Sequence, residues 1–202
     1  MPVLDCVECM EATRRGGGSQ SLTDKLPVVE GAVAGVAAYV VGLILIFFLL
    51  TIDSDVELGT GEAGTIDEVG WFFYSSHFAN IEVSFAGESS SENLVSQAST
   101  QIPEPVFYLI PIVILIAVGY FVVSTLDTWN PSASDCAQAG ATVVVGYLPL
   151  ALVGVFLFTV SQGGGAAEAS TGPELLTAVL LVGLLFPLLF GSIGGVLYSQ
   201  TE

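Results

Sequence analysis

The 202-residue chain is apolar and acidic: 52% of its residues are hydrophobic, 11% are charged, and 20 Asp and Glu against three Lys and Arg give a net charge of -17. Soluble domains contain roughly 25% charged residues, so this composition indicates a membrane protein. It excludes nucleic acid as a partner and disfavours anionic lipid headgroups, because binding to both requires clustered Lys and Arg.

Residues 1–26 are predicted to form a flexible cytoplasmic tail. They contain a Gly- and Ser-rich stretch and all three cations of the chain, Arg14, Arg15 and Lys25. Basic residues beside a membrane span tend to stay in the cytoplasm, so their position predicts a cytoplasmic N-terminus.

The tail also contains a single C-x-x-C motif, formed by Cys6 and Cys9. A structural zinc site needs four ligands, and the sequence offers no second pair of this kind. We therefore predict free thiols and neither a metal site nor a cofactor. A zinc site shared between two protomers and a redox-active dithiol are the alternatives.

The remaining membrane domain, residues 27–202, contains four apolar runs at 31–52, 106–126, 139–161 and 175–197. None contains an ionisable Asp, Glu, Lys, Arg or His, and each is long enough for a helix to cross a hydrocarbon core of about 30 Å. Backbone in lipid must satisfy its own hydrogen bonds, and none of the runs alternates like a barrel strand. The sequence therefore predicts an all-α integral membrane protein, a four-transmembrane-helix bundle in the plasma membrane with both termini in the cytoplasm. The short polar connection after the second run predicts that the second and third spans are neighbours.

The predicted outer loop, residues 53–105, contains a dense aromatic patch: Trp71, Phe72, Phe73, Tyr74, His77 and Phe78. Such a patch is typical of a short helix in the membrane interface or of a lid packed on the bundle. We expect an aromatic anchor at the interface; a cap that binds a partner or gates a substrate is the functional alternative. His77, the only histidine, is expected to be a hydrogen-bonded interface residue rather than a catalytic group or metal ligand.

The end of this loop contains a second pattern. Ile81, Val83 and Phe85 alternate with Glu82 and Ser84, which predicts a short strand. Residues 86–101 are rich in Ser, Gly, Gln and Glu, and they are predicted to be a loop.

Small residues form one face on each of two spans: Gly31, Gly35, Ala38 and Gly42 on the first, and Gly183, Pro187, Gly191 and Gly194 on the fourth. Such faces let helix backbones approach closely in lipid. We predict that both are buried in helix contacts, within one chain or between chains.

No sequence motif indicates catalysis: H-E-x-x-H, G-x-S-x-G and a phosphate-binding Gly-Lys loop are all missing. Ion-coupled transport usually relies on ionisable residues within the spans, and these spans have none. Pro111, Pro149 and Pro187 lie inside spans; transporters use broken helices, but membrane helices also tolerate proline. The sequence therefore predicts a non-enzymatic structural or accessory component in the lipid bilayer that binds other membrane proteins or itself. A small transporter or channel subunit acting as an oligomer is the alternative.

The excess of acidic residues is typical of extreme halophiles, in which molar salt shortens the electrostatic screening length to about 3 Å. An acidic binding surface in an ordinary organism is the competing interpretation. The segments Leu26–Gly42 and Val69–Phe78, together with the four-span layout, resemble a family of small multi-pass membrane proteins from haloarchaea whose function is unknown. The resemblance implies a halophilic archaeal plasma membrane, and it assigns no catalytic residue.

Overall fold

The computed structural model describes residues 26–59, 61, 63–126, 131–163 and 169–201. The predicted tail with its cations and its C-x-x-C motif lies outside these residues, apart from its last position. Most of the polar connection after the second span also lies outside them.

The helices, in chain order, are α1 (Val28–Ile52), α2 (Thr65–Ser75), α3 (Leu94–Gln97), α4 (Glu104–Ser124), α5 (Ala133–Ala141), α6 (Val144–Leu157), α7 (Leu175–Thr177), a π-helical segment (Ala178–Leu185) and α8 (Phe186–Thr201). Four helical runs are long and apolar enough to cross a membrane: α1, α4, α5 with α6, and α7 through α8. Their most apolar stretches have a mean hydropathy of 2.1 to 2.8. The four predicted candidate spans are therefore confirmed as long apolar helices.

The third span differs most from its predicted limits. Its helix begins at Ala133 because Ser132 caps it: the Ser132 hydroxyl accepts the Asp135 N–H at 3.2 Å, and the Asp135 carboxylate accepts the Ser132 N–H at 3.3 Å. The helix ends at Leu157, and the chain then enters a short strand. Local capping and strand pairing thus shift the span toward the N-terminus of the chain.

The four spans form a ring in the order first, second, fourth, third. Helix α1 packs on α4 and α6, α8 packs on α4 and α5, and the π-helical segment packs on α6. The second and third spans meet mainly through α4 and α5. We call the end of the ring near Ile52 and Leu157 the sheet end, and the end near Val28 and Thr201 the termini end.

The all-α prediction is wrong in one respect, because a four-stranded antiparallel sheet lies at the sheet end. Its strands are β1 (Ile81–Phe85), β2 (Glu88–Glu92), β3 (Val160–Gln162) and β4 (Ala169–Pro173), in the order β2-β1-β4-β3. The predicted strand is confirmed as β1. The loop predicted at 86–101 instead contains β2 and helix α3.

Strand β2 escapes sequence analysis because it has no apolar face: it reads Glu-Ser-Ser-Ser-Glu, and all five residues are exposed. Strand β2 forms because it pairs with β1 and because the turn between the two strands sets their alignment. Ala86 and Gly87 both have positive φ, at 52° and 87°, as in the tight two-residue turns that suit hairpins. This turn aligns Glu92 with Ile81, and β2 completes the hairpin.

The small-residue face of α1 packs on the third span and on α2. A Cβ added at Gly31 would overlap Thr142, and one at Gly35 would overlap the Val143 carbonyl. Ala38 is 1% exposed. A Cβ on Gly42 would lie 2.7 Å from the ring of Phe73, in α2.

The small-residue face of the fourth span packs on the second and third spans. Gly183 lies against Leu148, and Gly194 lies against the carbonyl of Ile116. Pro187 is buried. The two predicted faces therefore lie in separate helix contacts of one chain and do not pack on each other.

One of the close crossings joins three glycines from three helices. The Gly191 carbonyl in α8 occupies the space that a Cβ would take on Gly119 of α4 and on Gly140 of α5. The sequence analysis identified Gly191 and missed the two partner glycines. Side chains at these positions would separate the helices.

Replacing Gly119 with Ala is expected to destabilise the ring. The added methyl group would overlap the Gly191 carbonyl, and overpacking of this kind typically costs about 1–3 kcal/mol. Thermal unfolding in detergent should show a lower midpoint for Gly119→Ala. The control is Gly61→Ala, since nothing lies within 4 Å of a Cβ at Gly61. Equal midpoints for the two variants would contradict this account of the crossing.

Candidate functional site

Helix α2 enters the ring from the sheet end and packs in its interior. Phe72, Phe73 and Tyr74 are at most 5% exposed. Phe73 reaches Gly42, near the middle of α1, and its ring packs edge to face on Tyr39 with centroids 4.9 Å apart. The helix thus extends about halfway along the ring, and it does not cross it.

Two further glycines make room for α2. The Phe158 ring lies against Gly70 of α2, where a side chain would overlap it. On α6, Gly154 leaves space for the hydroxyls of Tyr39 and Tyr74, which a Cβ would displace. Close approach at these points brings the aromatic side chains of α2 into the core.

The first turn of α2 stays at the sheet end for electrostatic reasons. The Asp67 carboxylate accepts the N–H of Gly64 at 3.0 Å, and both Asp67 and Glu68 lie in the first turn, where the helix dipole favours negative charge. Trp71, one turn further, donates its Nε1–H to the Phe158 carbonyl at 2.7 Å. These contacts fix the angle at which the helix enters.

His77 is fully buried just after α2, and its two shortest hydrogen bonds fix its tautomer. Nδ1 lies 2.8 Å from the Phe73 carbonyl, which only accepts, so Nδ1 carries the proton. Nε2 is then an acceptor and takes the hydroxyl proton of Tyr147 at 2.7 Å. Burial lowers the pKa of His77 to about 4, against a smaller opposing effect of the Phe73 carbonyl, so the ring is neutral at physiological pH.

A second hydrogen-bonded chain lies beside this pair. The Tyr74 hydroxyl donates to the Ala151 carbonyl at 2.5 Å, so its oxygen accepts the hydroxyl of Tyr39 at 3.2 Å. The Tyr39 ring also packs edge to face on Tyr147, with centroids 5.3 Å apart. Within the described ranges, every buried side-chain nitrogen or oxygen has a hydrogen-bond partner.

The cluster of Tyr39, Tyr74, His77 and Tyr147 joins α1, α2 and α6 through hydrogen bonds. Its one imidazole is neutral and both ring nitrogens are occupied. In the part of the chain that the structure describes, no three His, Cys, Asp or Glu side chains are grouped to hold a metal ion. Buried and fully satisfied networks of this kind rigidify a core.

Comparison with known proteins finds one matching family, whose function is unknown. Residues 10–202 match the sequence profile of a family of unknown function, DUF7978. The chain belongs to this family. The matched region contains the aromatic helix, the sheet and all four candidate spans. No curated protein and no solved structure matches the chain.

The predicted aromatic patch of this DUF7978 chain is divided by the fold. Phe72, Phe73, Tyr74 and His77 are in the core, which differs from the expected interface anchor. Trp71 is half-buried beneath the sheet, and Phe78 is 51% exposed and stacks on Tyr108 with centroids 4.4 Å apart. Glycines leave space for two of these four side chains: Gly42 for the ring of Phe73 and Gly154 for the hydroxyl of Tyr74.

Sequence analysis missed the partners of the patch, Tyr39, Tyr147 and Gly154. A signal was present: tyrosine in membrane proteins is enriched at the interfaces, whereas these two lie well inside apolar runs. A mid-span hydroxyl needs a partner, which points to a polar group inserted from elsewhere.

Removing His77 is expected to destabilise the fold through Tyr147. His77→Leu leaves the buried Tyr147 hydroxyl without its acceptor, and an unsatisfied buried group of this kind costs about 1–3 kcal/mol. Tyr147→Phe should also destabilise the protein. The double variant should lose less than the sum of the two, because the interaction is shared. Unfolding midpoints of the four proteins measure this coupling, with Ile66→Ala, an exposed position of α2, as the control; additive losses would show that the pair is not coupled.

Proposed function

We propose that this protein is an integral membrane protein in the plasma membrane of a halophilic archaeon, with a structural or accessory role and no catalytic role. In this proposal it binds other membrane proteins or further copies of itself. Four long apolar helices and a net charge of -17 support the membrane address and the halophilic origin. The three cations before the first span support a cytoplasmic N-terminus, and four crossings then return the C-terminus to the cytoplasm.

The observation that carries the accessory role is the filled interior of the ring. A solute carrier needs a path whose groups replace the hydration shell of the solute. Here the side chains of α2 and the following His77 occupy the core at the sheet end, and their polar atoms are paired with Tyr39, Tyr147 and backbone carbonyls. A rigid, packed interior leaves the outer surface as the functional part of the molecule.

An apolar groove on that surface supports binding through the bundle. It lies between α1 and α4 toward the termini end and has a volume of about 520 Å³. Its walls include Ala34, Ala37 and Ala117, and Glu30 is also among its lining residues. Small side chains on both walls allow the backbone of another helix to approach closely.

A transporter or channel subunit acting as an oligomer is the second candidate, and two features favour it. Helix α2 inserts without crossing, an arrangement that membrane proteins tolerate only in protein interiors or beside water-filled cavities. The π-helical segment Ala178–Leu185 ends just before Pro187, and π-helical turns occur frequently at functional sites.

Purification in mild detergent at molar salt distinguishes the two candidates. We expect a heteromeric complex, and Ala37→Trp, which fills the groove, should release the partner. Val36→Trp is the matched control, since Val36 is 43% exposed and does not line the groove. Mass measurement that finds a closed homo-oligomer unaffected by Ala37→Trp would favour the channel subunit. A monomer for the wild type would contradict both.

The proposed orientation has its own test. Ser89 is exposed on β2, so Ser89→Cys in a Cys6→Ser, Cys9→Ser background should react with an impermeant thiol reagent in intact cells. The matched protein with natural Cys6 and Cys9 and no change at Ser89 should react only after lysis. The opposite pattern would invert the topology while leaving the four crossings intact.

A further inference from the structure

Trp71 lies between the ring and the face of the sheet that is turned toward the ring. Antiparallel pairing places Ile81, Val83 and Thr171 on the face toward this indole. The opposite face is polar: it carries Glu82 and the hydrogen-bonded hydroxyls of Ser84 and Ser170, 2.8 Å apart. The sheet therefore covers this end of the ring, and its less polar face is turned toward the ring.

Two cavities lie between the sheet and the ring, and Trp71 and Thr171 line both of them. The first, of about 350 Å³, lies between the indole, the β1–β2 hairpin and α3. The second, of about 320 Å³, lies between the indole, β3 and β4. Small-ligand pockets begin at about 300 Å³, so each cavity is large enough for a small molecule or one long side chain.

The first cavity combines apolar walls with an acidic residue. Trp71, Val83 and Leu94 supply the apolar part, and Gln97 and Glu92 supply the polar part. Glu68 lines the second cavity, and its carboxylate accepts the Gly59 N–H at 2.8 Å. Residues 26–202 contain no Lys or Arg, and the only histidine in them is buried elsewhere, so this part of the chain supplies no cation to either carboxylate.

We propose that the cavity between Trp71 and Glu92 binds a small organic cation, an ammonium or guanidinium group. The group arrives either on a free solute or as a Lys or Arg side chain of a partner protein. An indole face attracts such cations, and the attraction strengthens where water is partly excluded. The indole is already oriented, since its N–H is bonded to the Phe158 carbonyl. The site is distinct from the helix groove of the accessory role and does not depend on that role.

Fluorescence of Trp71 reports the binding directly. The chain has two tryptophans, so Trp129→Phe makes Trp71 the only one. The full-length variant in detergent is titrated with tetramethylammonium chloride at constant molar ionic strength, and with tert-butanol as the neutral probe of similar shape. We expect a saturable change with the cation only. Calorimetry with Trp71→Leu should show no binding.

Charge variants test the role of the carboxylate. Glu92→Gln should weaken the affinity about threefold to fivefold, the contribution of one partly exposed ion pair. Glu82→Gln is the matched control, because Glu82 is a neighbouring residue on the opposite face of the sheet and should leave the affinity unchanged. If both variants lost the same affinity, the cation would be attracted only by the overall negative charge of the surface, and the proposed site would be overturned. Equal responses to the cation and to tert-butanol, or no saturable response to the cation, would also overturn it.

Peptides distinguish the two sources of the cation. A Ser-Arg-Ser peptide with an acetylated N-terminus and an amidated C-terminus is compared with Ser-citrulline-Ser blocked in the same way and with free guanidinium. Tighter binding of the arginine peptide than of guanidinium assigns the cavity to a partner's side chain. Similar affinities for the two cations assign it to a free solute. In both cases the citrulline peptide must bind more weakly than the arginine peptide. Equal affinities of these two peptides would contradict the proposal.

Discussion

The insertion of an aromatic helix between four apolar spans depends on the absence of side chains at a few points of contact. Gly42 on α1, Gly70 on α2 and Gly154 on α6 leave the volume that Phe73, Phe158 and two tyrosine hydroxyls occupy. Helix association in lipid lacks the hydrophobic driving force available in water, so close packing and interhelical hydrogen bonds must replace it. The glycines make both of these possible at the same place.

The inserted helix also supplies hydrogen-bond partners for the polar groups inside the ring. Tyr39 and Tyr147 would each present a hydroxyl inside an apolar ring, where an unpaired polar group is costly. Helix α2 brings Tyr74 and His77 to them, and the resulting bonds fix both the depth of the helix and the tautomer of the imidazole. Its other end stays at the sheet end, where Trp71 is bonded to the Phe158 carbonyl and borders the two cavities. A single segment therefore links the packing of the spans to the surface that carries the proposed cation site.

Several elements were predictable because their signal is local. The candidate spans are long runs without ionisable residues, and β1 alternates with period two, so each was identified from its own residues. Strand β2 and the early start of α5 were missed. The first depends on pairing with β1, and the second depends on a cap formed by Ser132 and Asp135, which lie in a segment that otherwise reads as a polar connection. The small-residue faces of α1 and the fourth span were visible as patterns, but their partners, such as Gly119 and Gly140, lie on other helices.

The sequence by itself determined the class of the protein: four apolar helices, an acidic remainder, all cations before the first span, and an aromatic patch between the first two spans. Hydropathy and charge along the chain are sufficient for this, since each helix satisfies its own backbone. The tertiary structure decided where the patch goes. Phe73 and His77 are buried and Trp71 borders a cavity because of space and hydrogen-bond partners on helices distant in the sequence, and no local pattern encodes those distances.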